Sequence, residues 1–249
     1  MICRSERLDA ESAEDAEKGP TVGAPAECEP RAYVEGIAGF RLLELVVDRR
    51  VLIPRPETEG LVERVLAWAG ERWGVSGERG AVLDLGTGSG CIALSLATEG
   101  RFARIVATDV SPAALEVARL NADRVGPALR PEFRLGAFFQ PVRRDRFDVI
   151  VSNPPYIAEP EWAGLDPSVR EFEPPVALLS GPDGLAHTRA ILRDATAHLE
   201  PGGLLALEVD SRRADACADL ARVHGFSDVL VERDVFDRPR FLLVRKERA

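Results

Sequence analysis

Lysine is nearly missing from this chain: only Lys18 and Lys246 occur, and the remaining positive charge is arginine. That bias reads as genome composition rather than function. A basic excess is missing too. The formal net charge of −9 argues against a general binder of phosphate backbones, which would show a basic face. Cysteine is sparse, and Cys3, Cys28, Cys91 and Cys217 have no paired spacing, so neither a disulfide framework nor a zinc site is expected. No apolar run reaches the roughly 18 to 20 residues of a membrane helix. The opening MICRSERLDAESAEDAEKG is charged throughout and lacks the apolar centre of a secretory signal. A cytoplasmic enzyme with reduced thiols and no metal is the expectation.

A length of 249 residues with 45% hydrophobic content suffices for one large core. Residues 1–30 differ: eight acidic residues stand there against three basic ones, with little to bury, which predicts a disordered acidic tail. LLELVV (42–47) and RVLI (50–53) then predict a short β-hairpin, making 31–54 a connector. Pro56 opens a helix with Leu61, Val62, Val65, Leu66 and Ala69 at helical spacing. From Ala81 strands and helices alternate through AVLDL, CIALSLA, RIVATD, PAALEVARLNA and DVIV. A helix over 185–199, strand LLALEV (204–209), a helix over 213–223 and strands near 228–232 and 240–245 follow. This alternation predicts an α/β fold for 55–249, a doubly wound and mostly parallel sheet with the two closing strands as an antiparallel edge.

Ligands of such sheets bind outside the carboxyl ends of the strands, at the switch point. Three loops fall there. In the first, DLGTGSG (84–90), Gly86, Gly88 and Gly90 permit a tight turn and close approach of a ligand to the backbone, with a helix start behind them. Cys91 stands where a dinucleotide fingerprint wants glycine, the P-loop ending is absent, and Asp84 suits an amino group better than a phosphate. A plain turn is the bland alternative. In the second, Asp109 ends RIVATD, where a carboxylate can accept hydrogen bonds from both hydroxyls of a ribose. Nicotinamide cofactors and S-adenosylmethionine share that feature, and Asp109-Val110-Ser111-Pro112 also makes an ordinary helix entry.

The third loop is Asn153-Pro154-Pro155-Tyr156, directly behind the strand FDVIVS. Prolines donate nothing and hold the residue before them extended, which leaves a rigid rim of acceptors. The Asn153 oxygen and the Pro154 carbonyl can each take one hydrogen of a planar NH2 group, while the Tyr156 ring covers its face. An amide or exocyclic amine is a poor nucleophile because its lone pair is delocalised. Two acceptors make that nitrogen more electron-rich and aim it. Asn-Pro also starts many simple turns.

With VLIPRPETE (51–59), VLDLGTGSGCIALSLA (82–97), ATDVSPAALEVARLNA (107–122), FDVIVSNPPYI (147–157) and the EPP..AL..GPDGL pattern (173–185), the chain resembles the class I S-adenosylmethionine-dependent methyltransferases. More narrowly, it resembles the release factor glutamine methyltransferase family, which methylates the Gly-Gly-Gln glutamine of peptide chain release factors. The resemblance implies cofactor contacts at Asp84, Gly86, Thr87, Gly88, Ser89, Gly90, Asp109, Phe138 and Asn153. It implies catalysis by Asn153, Pro154 and Tyr156, with substrate at Asn153 to Tyr156 and a release factor as partner. The chain departs from the family at four places. A short acidic segment stands where a helical domain usually precedes the hairpin. Ala137 replaces an acidic residue, Glu208-Val209-Asp210 replaces Glu-x-Gly, and Phe236-Asp237 falls where glycine is common.

Two other readings remain. Asn-Pro-Pro-Tyr also occurs in methyltransferases of amino groups on nucleic acid bases, and a degenerate cofactor-binding protein would tolerate Ala137. A nicotinamide dehydrogenase comes last, since nothing in it calls for Asn-Pro-Pro-Tyr. His187 and His198 stand about three helical turns apart, too far to chelate one metal, and read as surface or packing residues. Cys91 reads as a small packing residue, and the charges of Arg143 to Arg146 as a solvated loop.

Overall fold

In the computed structural model, residues 29–74, 77–128 and 130–247 are described; the predicted acidic tail lies outside them except for Glu29 and Pro30. A one-turn helix α1 (Arg31–Glu35) leads into the strands β1 (Ile37–Phe40) and β2 (Leu43–Val46), paired antiparallel as a separate two-stranded sheet. The hairpin therefore sits earlier than predicted, and 50–53 is not a strand. Its turn is Arg41-Leu42, with Arg41 at φ 50. That left-handed geometry is unusual for arginine, and the Arg41 amide and guanidinium are held by Glu59 and Glu99. Gly39 hid the first strand from the pattern. After β2, Asp48 closes a turn by accepting the Val51 amide, and the Ile53 amide donates to Glu173 instead of to a strand.

Helix α2 (Pro56–Trp73) begins at Pro56 as predicted. The strands β3 (Ala81–Leu85), β4 (Arg104–Asp109) and β6 (Phe147–Ser152) and the helices α3 (Cys91–Glu99) and α4 (Pro112–Val125) also lie where the sequence put them. Strand β5 (Glu132–Leu135) was not anticipated, being four residues that bury none of their side chains fully. A short helix α5 (Pro167–Arg170), then α6 (Ala186–His198), β7 (Leu199–Glu208), α7 (Ala214–Val223), β8 (Asp228–Arg233) and β9 (Pro239–Arg245) complete the chain.

The seven-stranded sheet runs β5-β4-β3-β6-β7-β9-β8, parallel except that β9 pairs antiparallel with both its neighbours. Period-two alternation splits its side chains between two cores. Val82, Ile105, Val149, Val151 and Leu204 pack with Leu61, Val62 and Val65 of α2 and Leu94 of α3. Leu83, Leu85, Val106, Ile150, Leu205 and Leu207 face Ile191, Leu192 and Ala195 of α6 and Ala218 of α7. Phe40, Leu43 and Leu45 of the hairpin belong to the first core. The strand order reverses between β3 and β6, so the crevice predicted for a doubly wound sheet opens at the ends of those strands. No helix among the described residues is long and apolar enough to cross a membrane.

Candidate functional site

At that crevice lies a mainly apolar cavity of about 290 Å³, lined among others by Gly86, Gly88, Asp109, Phe138, Asn153, Pro154 and Pro155. The three loops singled out in the sequence therefore meet in one place. A larger, open hollow of about 560 Å³ lies at the opposite end of the sheet, near Arg72, Asp228 and Arg245, and none of the three loops reaches it. The register explains the convergence: Asp84 lies opposite Val151, and Leu85 opposite Thr108. The Ser152 hydroxyl donates to the Leu85 carbonyl over 2.7 Å, tying the ends of β3 and β6 together.

The glycine loop differs from an anion cradle. The Gly86 and Thr87 amides donate to the Thr108 carbonyl, the Gly88 amide to Asp109 and the Gly90 amide to the Thr87 carbonyl. What the loop offers is bare backbone surface: a Cβ added at Gly86 or Gly88 would meet nothing within 4 Å, and both residues have positive φ. Four of the predicted contacts stand behind this floor rather than on it. Asp84, Thr87, Ser89 and Gly90 do not line the cavity. Asp84 is completely buried and accepts from the Thr87 hydroxyl and the Ala93 amide, while its Oδ1 has no partner among the described residues. Burial pushes its carboxyl up to about 7, against the pull of those two hydrogen bonds. Its position suits it to hold the loop and the start of α3, not to meet an amino group in the cavity.

Asp109 does face the cavity. Its Oδ2 accepts from the Gly88 amide and its Oδ1 from the Ser111 amide, each over 2.9 Å, which leaves the carboxylate acceptor capacity for a ligand. Burial raises its pKa, and the amides of Ser111, Gly88 and Val110 oppose the rise. Ala137 and Phe138 form the far wall, with Phe138 at φ 47, a left-handed conformation that a bulky residue adopts only where its surroundings enforce it. Its ring lies 5.5 Å from that of His187. Of the two readings, surface or packing, the second holds for His187, which is part of the wall; burial lowers its pKa, and its Nδ1 bonds with the Ser180 hydroxyl. Only the spacing Ser180-Gly181-Pro182-Asp183-Gly184 before α6 hinted that this helix starts at the cavity.

Asn153 stands at the end of β6 beside the floor. Its Nδ2 donates to Thr58 Oγ1 over 3.0 Å, and that hydroxyl donates to Glu208 Oε2 over 2.7 Å. No donor among the described residues reaches Asn153 Oδ1 or the Pro154 carbonyl. Thr58 and Glu208 are buried, and sequence reasoning assigned neither a role. Tyr156 does not line the cavity; burial pushes its phenol up to about 12, with the charge of Glu208 adding to the effect. Cys91 is likewise held as a thiol by burial, in line with its packing role.

The rim comes from the two motif segments around the mouth. Leu52 precedes α2, while Pro174, Val176 and Ala177 follow Glu173. Arg55 forms an ion pair with Glu173, whose side chain is 1% exposed, so the two segments are clasped. Two of the departures from the family pattern, at Asp210 and Asp237, are absorbed locally. Asp210 accepts the Arg212 amide and pairs with Arg212 and Arg213. Asp237 adopts φ 61, the conformation a glycine would take.

The sequence pattern of the Methyltransferase small domain family matches residues 72–163. Among solved structures, a methyltransferase from Pyrococcus furiosus shares the fold, with a TM-score of 0.58 at 21% identity over 82% of this chain and 89% of that one. Release factor glutamine methyltransferase of Moorella thermoacetica is 46% identical over 88% of this chain and 76% of its own length. That of Cereibacter sphaeroides is 47% identical over 86% of this chain and 75% of its own length. At that identity and extent, and with the three loops gathered on one cavity, the chain belongs to the release factor glutamine methyltransferase family.

Proposed function

We propose that the protein moves a methyl group from S-adenosylmethionine to the side-chain amide nitrogen of a protein glutamine, the Gly-Gly-Gln glutamine of a peptide chain release factor. The observation that carries this reading is Asn153 at the switch point, its amide hydrogen committed to Thr58 and its oxygen unclaimed beside the Pro154 carbonyl. The residues present fit the cofactor. The open floor at Gly86 and Gly88 admits a close ligand, the Asp109 carboxylate faces the cavity where a ribose would lie, and the Gly86, Thr87, Gly88 and Gly90 amides are committed within the fold.

Bound there, S-adenosylmethionine supplies an electrophilic methyl group on a sulfonium. Asp109 would hold the ribose hydroxyls and Phe138 and Ala137 would border the adenine, while Asp84, Thr87, Ser89 and Gly90 keep the floor in shape from behind. Asn153 Oδ1 and the Pro154 carbonyl accept the two hydrogens of the substrate amide, while Pro155 stiffens the rim and Tyr156 backs it. These contacts leave the nitrogen more electron-rich and aimed at the cofactor, and the amide hydrogen that the methyl group replaces would leave as a proton, so catalysis rests on positioning. We assign this chemistry to 55–249 and part of the rim to the connector 31–54. An acidic chain with scarce, scattered cysteines suits a cytoplasmic protein substrate better than a nucleic acid.

The test is single-turnover methylation with labelled S-adenosylmethionine and either a release factor or DNA. Asn153→Ala is expected to lower turnover on the release factor by roughly 10² to 10³, as for loss of one preorganised polar contact, with a smaller loss of cofactor affinity. Turnover within a factor of about three of the parent, only about 0.65 kcal/mol of barrier, would sink the acceptor reading. Methylation of DNA alone would move the protein to the other amino-group branch.

A further inference from the structure

An asparagine amide has two nearly isosteric faces, and only one of them is useful here. With its oxygen toward the substrate it accepts; turned over, it would present a second NH2 to an NH2 and repel it. Something must choose. Asn153 makes its side-chain bond to Thr58, in the first turn of α2, and Thr58 bonds in turn to Glu208 at the end of β7. A hydroxyl has one hydrogen. A carboxylate is acceptor-only, so the Thr58 hydrogen goes to Glu208 and only a lone pair is left facing Asn153. The Asn153 group next to it must then be the NH2, and its oxygen points the other way.

We infer that Glu208, acting through Thr58, is a positioning residue that holds the Asn153 amide with its oxygen toward the substrate. The inference rests on the reading of Asn153 as an acceptor. It also accounts for two buried polar groups that packing alone would disfavour: Thr58 is 2% and Glu208 1% exposed, and unpaired burial of either would be costly. The three residues lie 95 and 150 positions apart in sequence, on three different elements, yet form one continuous chain into the site.

The direction of the chain depends on the charge of Glu208. A protonated Glu208 can donate to Thr58, which frees the Thr58 hydrogen for the Asn153 oxygen and turns the amide over. Burial pushes Glu208 up to about 7; the Thr58 hydrogen bond, Arg240 of β9 and Arg55 ahead of α2 favour its charged form, and Glu57 opposes it. Tyr156 and Cys91 also feel its charge, and both are held protonated by burial. Asp210, beyond β7, is held charged by Arg212 and Arg213. Turnover should therefore fall as pH drops through about 7, with an acid limb that belongs to Glu208.

The experiment compares the parent with Thr58→Val, Thr58→Ser, Glu208→Gln and Asn153→Ala, using S-adenosylmethionine and a purified release factor. Thr58→Val keeps the shape and removes both hydrogen bonds. It should lower kcat about 10- to 100-fold, the range for outer partners that orient a reacting group, with KM and cofactor affinity within about threefold of the parent. Thr58→Ser should restore kcat to within about threefold, and Glu208→Gln should lose the acid limb. Apart from activity, the Asn153 side-chain NH2 resonances of the ligand-free protein, assigned by their loss in Asn153→Ala, should titrate with the acid limb and stop titrating in Glu208→Gln. Parent turnover in Thr58→Val beside an inactive Asn153→Ala would overturn the inference and leave the acceptor reading standing. Parent turnover in both would overturn the acceptor reading itself. Should Thr58→Val fail to fold, the pH profile decides: an acid limb, or a titrating Asn153 amide, that survives in Glu208→Gln overturns the inference.

Discussion

Arg55 reaches the carboxylate of Glu173 across 118 positions of sequence, and the pair helps join the segment before α2 to the segment that follows α5. The Glu173 side chain is 1% exposed and that of Arg55 31%. Arg55→Ala would leave a buried carboxylate with only the Ile53 amide at 3.4 Å. The expected loss of stability is roughly 2 to 3 kcal/mol, below the roughly 3 to 5 of a fully buried pair because water screens the arginine end. Denaturant unfolding measures it, and the double variant with Glu173→Gln should recover part of the loss. A single variant as stable as the parent would show that the clasp contributes nothing.

Asp109 offers a second test. Removing its carboxylate takes away the acceptors proposed for a ribose, so Asp109→Ala should weaken binding of S-adenosylmethionine by about 1.5 to 3 kcal/mol, the range for hydrogen bonds to a charged group. The same carboxylate secures the Gly88 and Ser111 amides, so the melting temperature should fall as well. Calorimetry with unchanged affinity would remove Asp109 from the site.

Ala137 lines the cavity beside Phe138 and brings no polar atom of its own. Ala137→Asp adds an acceptor on the wall proposed to border the adenine, and binding of S-adenosylmethionine should tighten. If calorimetry finds it weaker, the adenine rests against another surface.

Asp84 makes stability depend on pH. Its folded value of about 7 exceeds the unfolded value of 3.8, so the folded state holds the proton more firmly. The stability this group contributes is present below about 3.8 and is lost as pH rises through about 7. Asp84→Asn, which cannot ionise, should flatten the fall in unfolding free energy between the unfolded value of 3.8 and the folded value of about 7. The same slope in parent and variant would contradict this.

Much of the sheet was legible because its strands are buried on both faces and read as short β-branched runs, and because Pro56, Ser111-Pro112 and the glycines mark where helices begin. The hairpin was misplaced because Gly39 interrupts IAGF, whereas RVLI looks like a strand and is kept from pairing by Pro54. Asn153, Asp109, Gly86 and Gly88 could be singled out because strand ends in a doubly wound sheet gather at the crevice, whereas Phe138 came only from the family resemblance, since the strand before it left no pattern. Thr58 and Glu208 were not, since a hydrogen-bond chain linking three elements leaves no spacing to read. Asn121 escaped for the same reason. It is fully buried on α4 and bonds to both Val46 and the Ser89 carbonyl, pinning the hairpin to the glycine loop from a helix whose pattern showed only an apolar stripe.

The glycine turn with its amides turned inward has a consequence for competition in the cell. Because those bonds are made within the fold, the turn is ordered before any ligand arrives, and association need order only the ligand. Adenine nucleotides carry the same base and sugar as the cofactor, and their phosphates would come to a floor whose Gly86, Thr87, Gly88 and Gly90 donors are already taken, with the Asp109 carboxylate close by. A phosphate there would give up its hydration and gain no donor from these four positions in return. A preference for a sulfonium over a triphosphate would in this way come from the hydrogen bonds these four amides make within the fold, together with the negative charge of Asp109.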